Sequence, residues 1–258
     1  MRNALAEAVL ALVWLTRLPL GRFLPAHPPP LARAAWAFPL VGLVIGAGAG
    51  LVYGVALWLG LTPVLAALLA VGVQIWLTGG LHEDGLADLA DGLGGRDPAR
   101  RLEIMRDSRI GSYGALTLGL VTALRVAALA SLAPVAAVAA LLVIPALSRA
   151  GMVTAMALMK PARTDGLGKS AGQPNAMGVV LAQTSALALC AVASLSGAWP
   201  GLWPFLAVIF GCAFAQLYVK RMAYQKLGGA TGDVFGAIQQ SGEVGALLAL
   251  VAAMAEKL

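Results

Sequence analysis

Residues 34–60, AAWAFPLVGLVIGAGAGLVYGVALWLG, hold no charged side chain and stop at the turn Leu61-Thr62-Pro63. A helix needs about 20 such residues to cross the roughly 30 Å of hydrocarbon in a bilayer, so this stretch sets lipid as the solvent. Further apolar runs follow along the chain, from about Val64 to Thr78, Ser112 to Leu132, Pro134 to Met159, Met177 to Leu195, Trp203 to Val219 and Val244 to Ala255. In lipid each backbone polar group must be satisfied within its own segment, which leaves helices as the reading of runs this apolar. The expected fold is all-α, a polytopic integral membrane helix bundle of about seven transmembrane helices in a single domain over residues 1–258.

Composition agrees: 60% of the 258 residues are apolar, against about half in a soluble domain. Gly42, Gly46, Gly50 and Gly54 recur every fourth residue in the first span. They make a smooth ridge for a close neighbour, either another helix of the subunit or a second copy in a homo-oligomer. Cys190 and Cys212 lie in apolar runs without a Cys or His at ligand spacing, so buried free thiols are expected. The N-terminal run carries Glu7 and no small-residue cleavage site; an amphipathic or re-entrant segment is expected there, not a removable leader.

The net charge of +6 would suit a nucleic-acid partner in a soluble protein, but here the cations mark topology. Arg2, Arg17, Arg22 and Arg33 precede the first span, and Arg96, Arg100, Arg101, Arg106 and Arg109 follow the second. Lys160, Arg163 and Lys169, then Lys220, Arg221 and Lys226, occupy later loops, while the alternate turns carry no Lys or Arg. The positive-inside rule places all the charged loops in the cytoplasm, with no nucleic acid implied. Two cations fall inside spans. Arg125 is expected to snorkel outward, and Arg149 sits deep enough to need a carboxylate or a substrate phosphate.

Between the second and third spans lies GGLHEDGLADLADGLGGRDPARRLEIMRDSR, residues 79–109, with Glu83, Asp84, Asp88, Asp91, Asp97, Glu103 and Asp107 among the chain's 12 acids. At about 100° per residue Asp84, Asp88 and Asp91 fall within roughly 60° of one another on a helix. Like charges on one face repel unless a cation neutralises them. Gly92, Gly94 and Gly95 break that helix, and Asp97-Pro98 reads as an N-cap restarting one that carries Glu103 and Asp107 four apart. Oxygen ligands of this kind suit Mg²⁺ better than zinc. The competing reading is a solvated loop whose arginines pair with its acids. His82 beside the acids could act as base, phosphate contact or ligand. The glycine-rich loops at Lys160–Lys169 and Gly228–Gly236, the second carrying Asp233 in a flexible turn, belong to the same face and together outline a site for a polyphosphate and its metal.

At these residues the chain resembles the cobalamin synthase family of adenosylcobinamide-GDP ribazoletransferases. The matching pieces are GGLHEDGLADLADGLGG at Gly79–Gly95, RLEIMRDSRIGSYGAL at Arg101–Leu116, TDGLG at Thr164–Gly168 and GGATGDVFGAIQQ at Gly228–Gln240. Thr164 stands where the family pattern has an Arg, with Arg163 one position off. The resemblance implies a Mg²⁺-dependent enzyme of the bacterial inner membrane. In its reaction a hydroxyl of α-ribazole, or of its 5′-phosphate, displaces GMP from adenosylcobinamide-GDP. On that basis Asp84, Asp88, Asp91, Glu103 and Asp107 are the candidate metal ligands, and His82, Glu83 and Asp233 the candidate proton acceptors. Arg96, Arg106, Arg109, Arg149, Arg163, Asp165 and Lys169 are the candidate substrate contacts. A weaker likeness is to CDP-alcohol phosphotransferases, through Asp88-x2-Asp91-Gly92-x2-Gly95-Arg96 and the looser Ala99-x3-Glu103-x3-Asp107. A cation-coupled transporter is the alternative of another class, and would need ionisable groups at mid-membrane on several helices.

Overall fold

A computed structural model describes residues 2–163, 166 and 171–255. Among these the chain is helical: α1 (Arg2–Leu15), α2 (Leu31–Ala34), α3 (Phe38–Trp58), α4 (Pro63–Thr78), α5 (Leu81–Gly92), α6 (Pro98–Ile104), α7 (Ser112–Ser131), α8 (Pro134–Leu158), α9 (Ala176–Leu195), α10 (Leu202–Leu227) and α11 (Gly232–Met254). A 3₁₀ turn at Ala35–Ala37 joins α2 to α3. Six helical runs, Leu31–Trp58 and α7 to α11, are long and apolar enough to cross a membrane, and α4 with α5 forms a further pair bent by 90°. The chain is a multi-pass membrane protein. α1 is too short to cross and packs beside α2 and α3, tied by Glu7, which accepts from Arg33 and from the Trp36 indole, each at 2.9 Å.

The bundle is built around α8 and α11. In α8 72% of the apolar window is buried and in α11 67%, against 22% in α7 and α9, which face outward. The glycine ridge explains how α3 reaches α8. A Cβ on Gly42 would meet the Pro145 backbone, and one on Gly46 the Leu141 carbonyl. Pro145 has no N–H to offer that carbonyl, so the Leu141 oxygen is left for the approaching α3 backbone. This part of the ridge is occupied inside the subunit; around Gly54 there is open space.

The expected boundaries hold for the first five spans. α10 continues past Val219 to Leu227, and α11 begins at Gly232 instead of near Val244, so Asp233 lies in a helical first turn and not in a flexible one. The polar residues that hid this start, Gln239, Gln240 and Glu243, are buried and paired within the bundle.

The charged loops gather at one end. Ala162 donates to the Ala230 carbonyl at 2.8 Å and Ala230 to that of Lys160 at 2.9 Å. Arg163 donates to the Leu102 carbonyl at 2.9 Å, and Arg101 to that of Lys226 at 3.1 Å.

Candidate active site

α4 stops because Gly79 and Gly80 both take left-handed backbone, with φ of 69° and 72°. The Arg17 N–H donates to the Leu77 carbonyl at 2.7 Å, and its side chain covers Gly79 where a Cβ would collide. The break sends α5 out of the span and across the charged end of the bundle. There it rests on the first turn of α11 through two glycines. A Cβ on Gly85 would lie 2.8 Å from the Asp233 Cα, and one on Gly236 3.1 Å from the His82 carbonyl oxygen. Thr231 caps α11, accepting from the Val234 N–H at 3.3 Å and donating to Asp233 Oδ2 at 3.1 Å. A carboxylate in that turn also meets the positive end of the helix dipole.

These contacts bring His82, Asp84, Arg163, Thr231 and Asp233 to one cavity of about 320 Å³. Its other walls are apolar, with Trp14, Leu31, Phe38, Met152, Met156 and Phe235. A more open groove of about 590 Å³ runs along α5 past Gly79, Glu83, Asp88, Ser108 and Ile110. Asp84, Leu81 and Trp14 border both spaces.

The electrostatics are those of a site short of positive charge. Burial, and then the carboxylates of Asp84, Asp233 and Asp91, push Asp88 up to about 7, with Arg163 acting in the opposite sense. Burial holds His82 well below the ordinary imidazole value, and Arg149 and Arg125 add to the effect, so the ring is neutral. Among the described residues its buried Nδ1 has no partner, nor has the buried Nε of Arg163. Among the described residues no three His, Cys, Asp or Glu side chains converge into a metal cage. A Mg²⁺ ion does not require one: it is held by one or two carboxylates with water and phosphate oxygens completing the shell. Asp84 and Asp88, one turn apart on α5, match that donor set.

Four other expected site residues, Asp91, Glu103, Asp107 and Arg109, line a separate open pocket of about 460 Å³ beside α6, each already holding a partner. Asp91 accepts from the N–H groups of Gly111 at 2.7 Å and Gly114 at 2.9 Å, and so caps α7. Glu103 pairs with Arg100 and Asp107 with Arg109, each at 2.7 Å on the exposed side of the α6 region. Hydrogen bonds from Arg109 pull Asp107 down to about 2. Arg96 is exposed, 3.4 Å from Asp97, and Arg106 is exposed just beyond α6. Asp97 caps α6 as its sequence predicts, accepting from the Arg100 N–H at 2.9 Å. Asp165 and Lys169 lie outside the described residues.

Arg125 does not snorkel. It is 2% exposed and its guanidinium meets Gln74 at 2.6 Å, Glu243 at 2.9 Å, Gln240 at 3.1 Å and Glu83 at 3.2 Å. Arg149, equally buried, finds Glu243 at 3.5 Å and the Pro145 carbonyl at 3.0 Å. Glu83 Oε1 also accepts from Gln240 at 2.9 Å, which makes this side chain an anchor of α5 into the bundle. Glu243 was not singled out by sequence reasoning. The signal was there in its i−4 and i−3 neighbours Gln239 and Gln240, polar residues stacked on one face of an apolar helix.

A family model described as cobalamin-5-phosphate synthase matches residues 7–251. Among curated relatives, the adenosylcobinamide-GDP ribazoletransferase of Bradyrhizobium diazoefficiens is 44% identical over 98% of this chain and 95% of its own. Those of Allorhizobium ampelinum and Azorhizobium caulinodans are each 42% identical, over 95% of both chains and 96% of both chains respectively. No solved structure matches. The acid-bearing α5, the Arg163 loop and the first turn of α11 all fall inside the matched region, and the chain belongs to the cobalamin-5-phosphate synthase family.

Proposed function

We propose that this protein joins α-ribazole, or its 5′-phosphate, to adenosylcobinamide-GDP, forming adenosylcobalamin or its phosphate and releasing GMP. The observation that carries the reading is Asp84, which borders both the cavity and the more open groove with Asp88 one turn further along. A two-substrate transfer needs such a junction. The acceptor hydroxyl oxygen bonds to the cobinamide-side phosphorus, the bond from that phosphorus to the oxygen bridging to GMP breaks, and GMP departs with the electron pair. Asp233, on the cavity side of the junction, takes the hydroxyl proton. Asp84 and Asp88 hold Mg²⁺, which when bound neutralises charge on the diphosphate oxygens. Arg163 binds phosphate through its unpartnered Nε, and neutral His82 orients the acceptor without adding charge. The charged end faces the cytoplasm of a bacterial inner membrane, where its arginines and lysines accord with the positive-inside rule.

The alternatives fare less well. Three acids of the CDP-alcohol phosphotransferase pattern border one open pocket but are already engaged there, Asp91 in capping α7 and Glu103 and Asp107 in pairs with arginines. A transporter would use mid-bundle charges along an aqueous path. Here Arg125 and Glu243 border a void of about 10 Å³, room for at most about one water.

Purified protein in detergent micelles, mixed with adenosylcobinamide-GDP, α-ribazole and Mg²⁺, is expected to release GMP. Asp84→Asn is expected to lower that rate by about a hundredfold or more while leaving the melting temperature unchanged. GMP release that survives Asp84→Asn undiminished would remove Asp84 from the site.

A further inference from the structure

We infer that the two substrates enter from different spaces: the cavity of about 320 Å³ seats the nucleoside acceptor, a riboside with an apolar base, and the corrinoid nucleotide stays in the open groove. This rests on the transferase reading and adds which substrate each space takes.

Size and wall chemistry distinguish the two spaces. On a volume of about 320 Å³ the cavity matches a bicyclic base with its ribose and is too small to enclose a corrin, whereas the groove of about 590 Å³ is the roomier and more open of the two. The cavity has two unlike sides. Among the described residues its charged and hydroxyl groups come from α5, Arg163 and the start of α11; its apolar ones come mainly from α1 to α3 and α8. Phe38, Met152 and Met156 offer a flat base dispersion contacts and no hydrogen bonds, and thioethers adapt their shape to such a ring. A base with exocyclic amino or carbonyl groups would lose hydration there without replacement. On the opposite side Thr231, Asp233 and the buried, unpartnered Arg163 Nε are the groups a ribose hydroxyl and a 5′-phosphate would engage. The groove holds Asp88, Ser108 and Ile110 and reaches the cavity at Asp84, so the diphosphate and the attacking hydroxyl come together there.

The test is steady-state kinetics of GMP release by the full chain in micelles, each substrate varied in turn. Met156→Trp, which fills the cavity, is expected to raise KM for α-ribazole at least tenfold and to move KM for adenosylcobinamide-GDP less than twofold. Ile110→Trp in the groove is expected to do the reverse. A Met156→Trp enzyme whose corrinoid KM rises as much as its ribazole KM, or whose ribazole KM does not change, overturns the division. A second measurement needs no turnover and guards against misfolding of the Trp variant. In Met156→Cys carried in a Cys190→Ala, Cys212→Ala background, which removes the native thiols, α-ribazole is expected to slow thiol alkylation severalfold and adenosylcobinamide-GDP is not. Absence of protection by α-ribazole counts against the cavity. If the wild type releases no GMP it is the transferase reading that fails, and the alkylation result then decides the cavity's occupant by itself.

Discussion

Asp84 and Asp91 stand seven residues apart on one face of α5, yet one borders both the cavity and the groove and the other is spent on two backbone N–H groups. Replacing them should therefore separate chemistry from stability. Asp91→Asn loses the charge of a carboxylate that accepts two N–H bonds at the head of α7, and is expected to lower stability by about 1–3 kcal/mol, read as a drop in melting temperature in micelles. Activity per folded molecule should fall far less than in Asp84→Asn. Asp88 carries a pH signature. Without metal it keeps its proton up to about 7, because burial and then the neighbouring carboxylates disfavour its charge. With Asp88 as the proposed Mg²⁺ ligand, metal binding would displace that proton, so apparent Mg²⁺ affinity should rise with pH between about 5 and 7 and level off above, by at most about tenfold per pH unit for one proton. Mg²⁺ titrations of GMP release at pH 6 and pH 8 check this. Equal midpoints at the two values would argue against Asp88 as a ligand.

Among the helices, α3 and α5 owe their places to glycines used in different ways. Gly79 and Gly80 turn α5 out of the span by backbone conformation, while Gly42 and Gly46 let α3 touch the α8 backbone. A Val at position 46 has nowhere to go against the Leu141 carbonyl, so Gly46→Val should abolish most of the folded yield in size-exclusion chromatography. Gly54 meets nothing within 4 Å, and Gly54→Val should change stability by less than about 0.5 kcal/mol. A severe effect at Gly54 would instead point to a second subunit on that end of the ridge. The same close packing explains why the start of α11 was hard to see in the sequence. Hydropathy marks a span by its average, and Gln239, Gln240 and Glu243 lower that average although each is satisfied inside the bundle.

Across the whole molecule one buried polar network joins α4, α5, α7, α8 and α11 through Gln74, Glu83, Arg125, Arg149, Gln240 and Glu243. Glu243→Ala would leave two buried guanidiniums facing one remaining carboxylate, which typically costs about 3–5 kcal/mol. Loss of the cooperative thermal transition is the expected result; a variant melting within a few degrees of wild type would show the network to be dispensable. Hydropathy alone told the solvent, the approximate number of spans and the end of the bundle that carries charge, because each depends only on residues adjacent in the chain. The motifs around Asp84, Asp88 and Asp233 likewise pointed to the family by local order. Which acids border a common space was decided only by folding: helical spacing fixes the face a side chain points from, but not what stands opposite. Asp91 found the head of α7, Glu83 found Gln240 157 positions away, and Asp84 alone was left between two cavities.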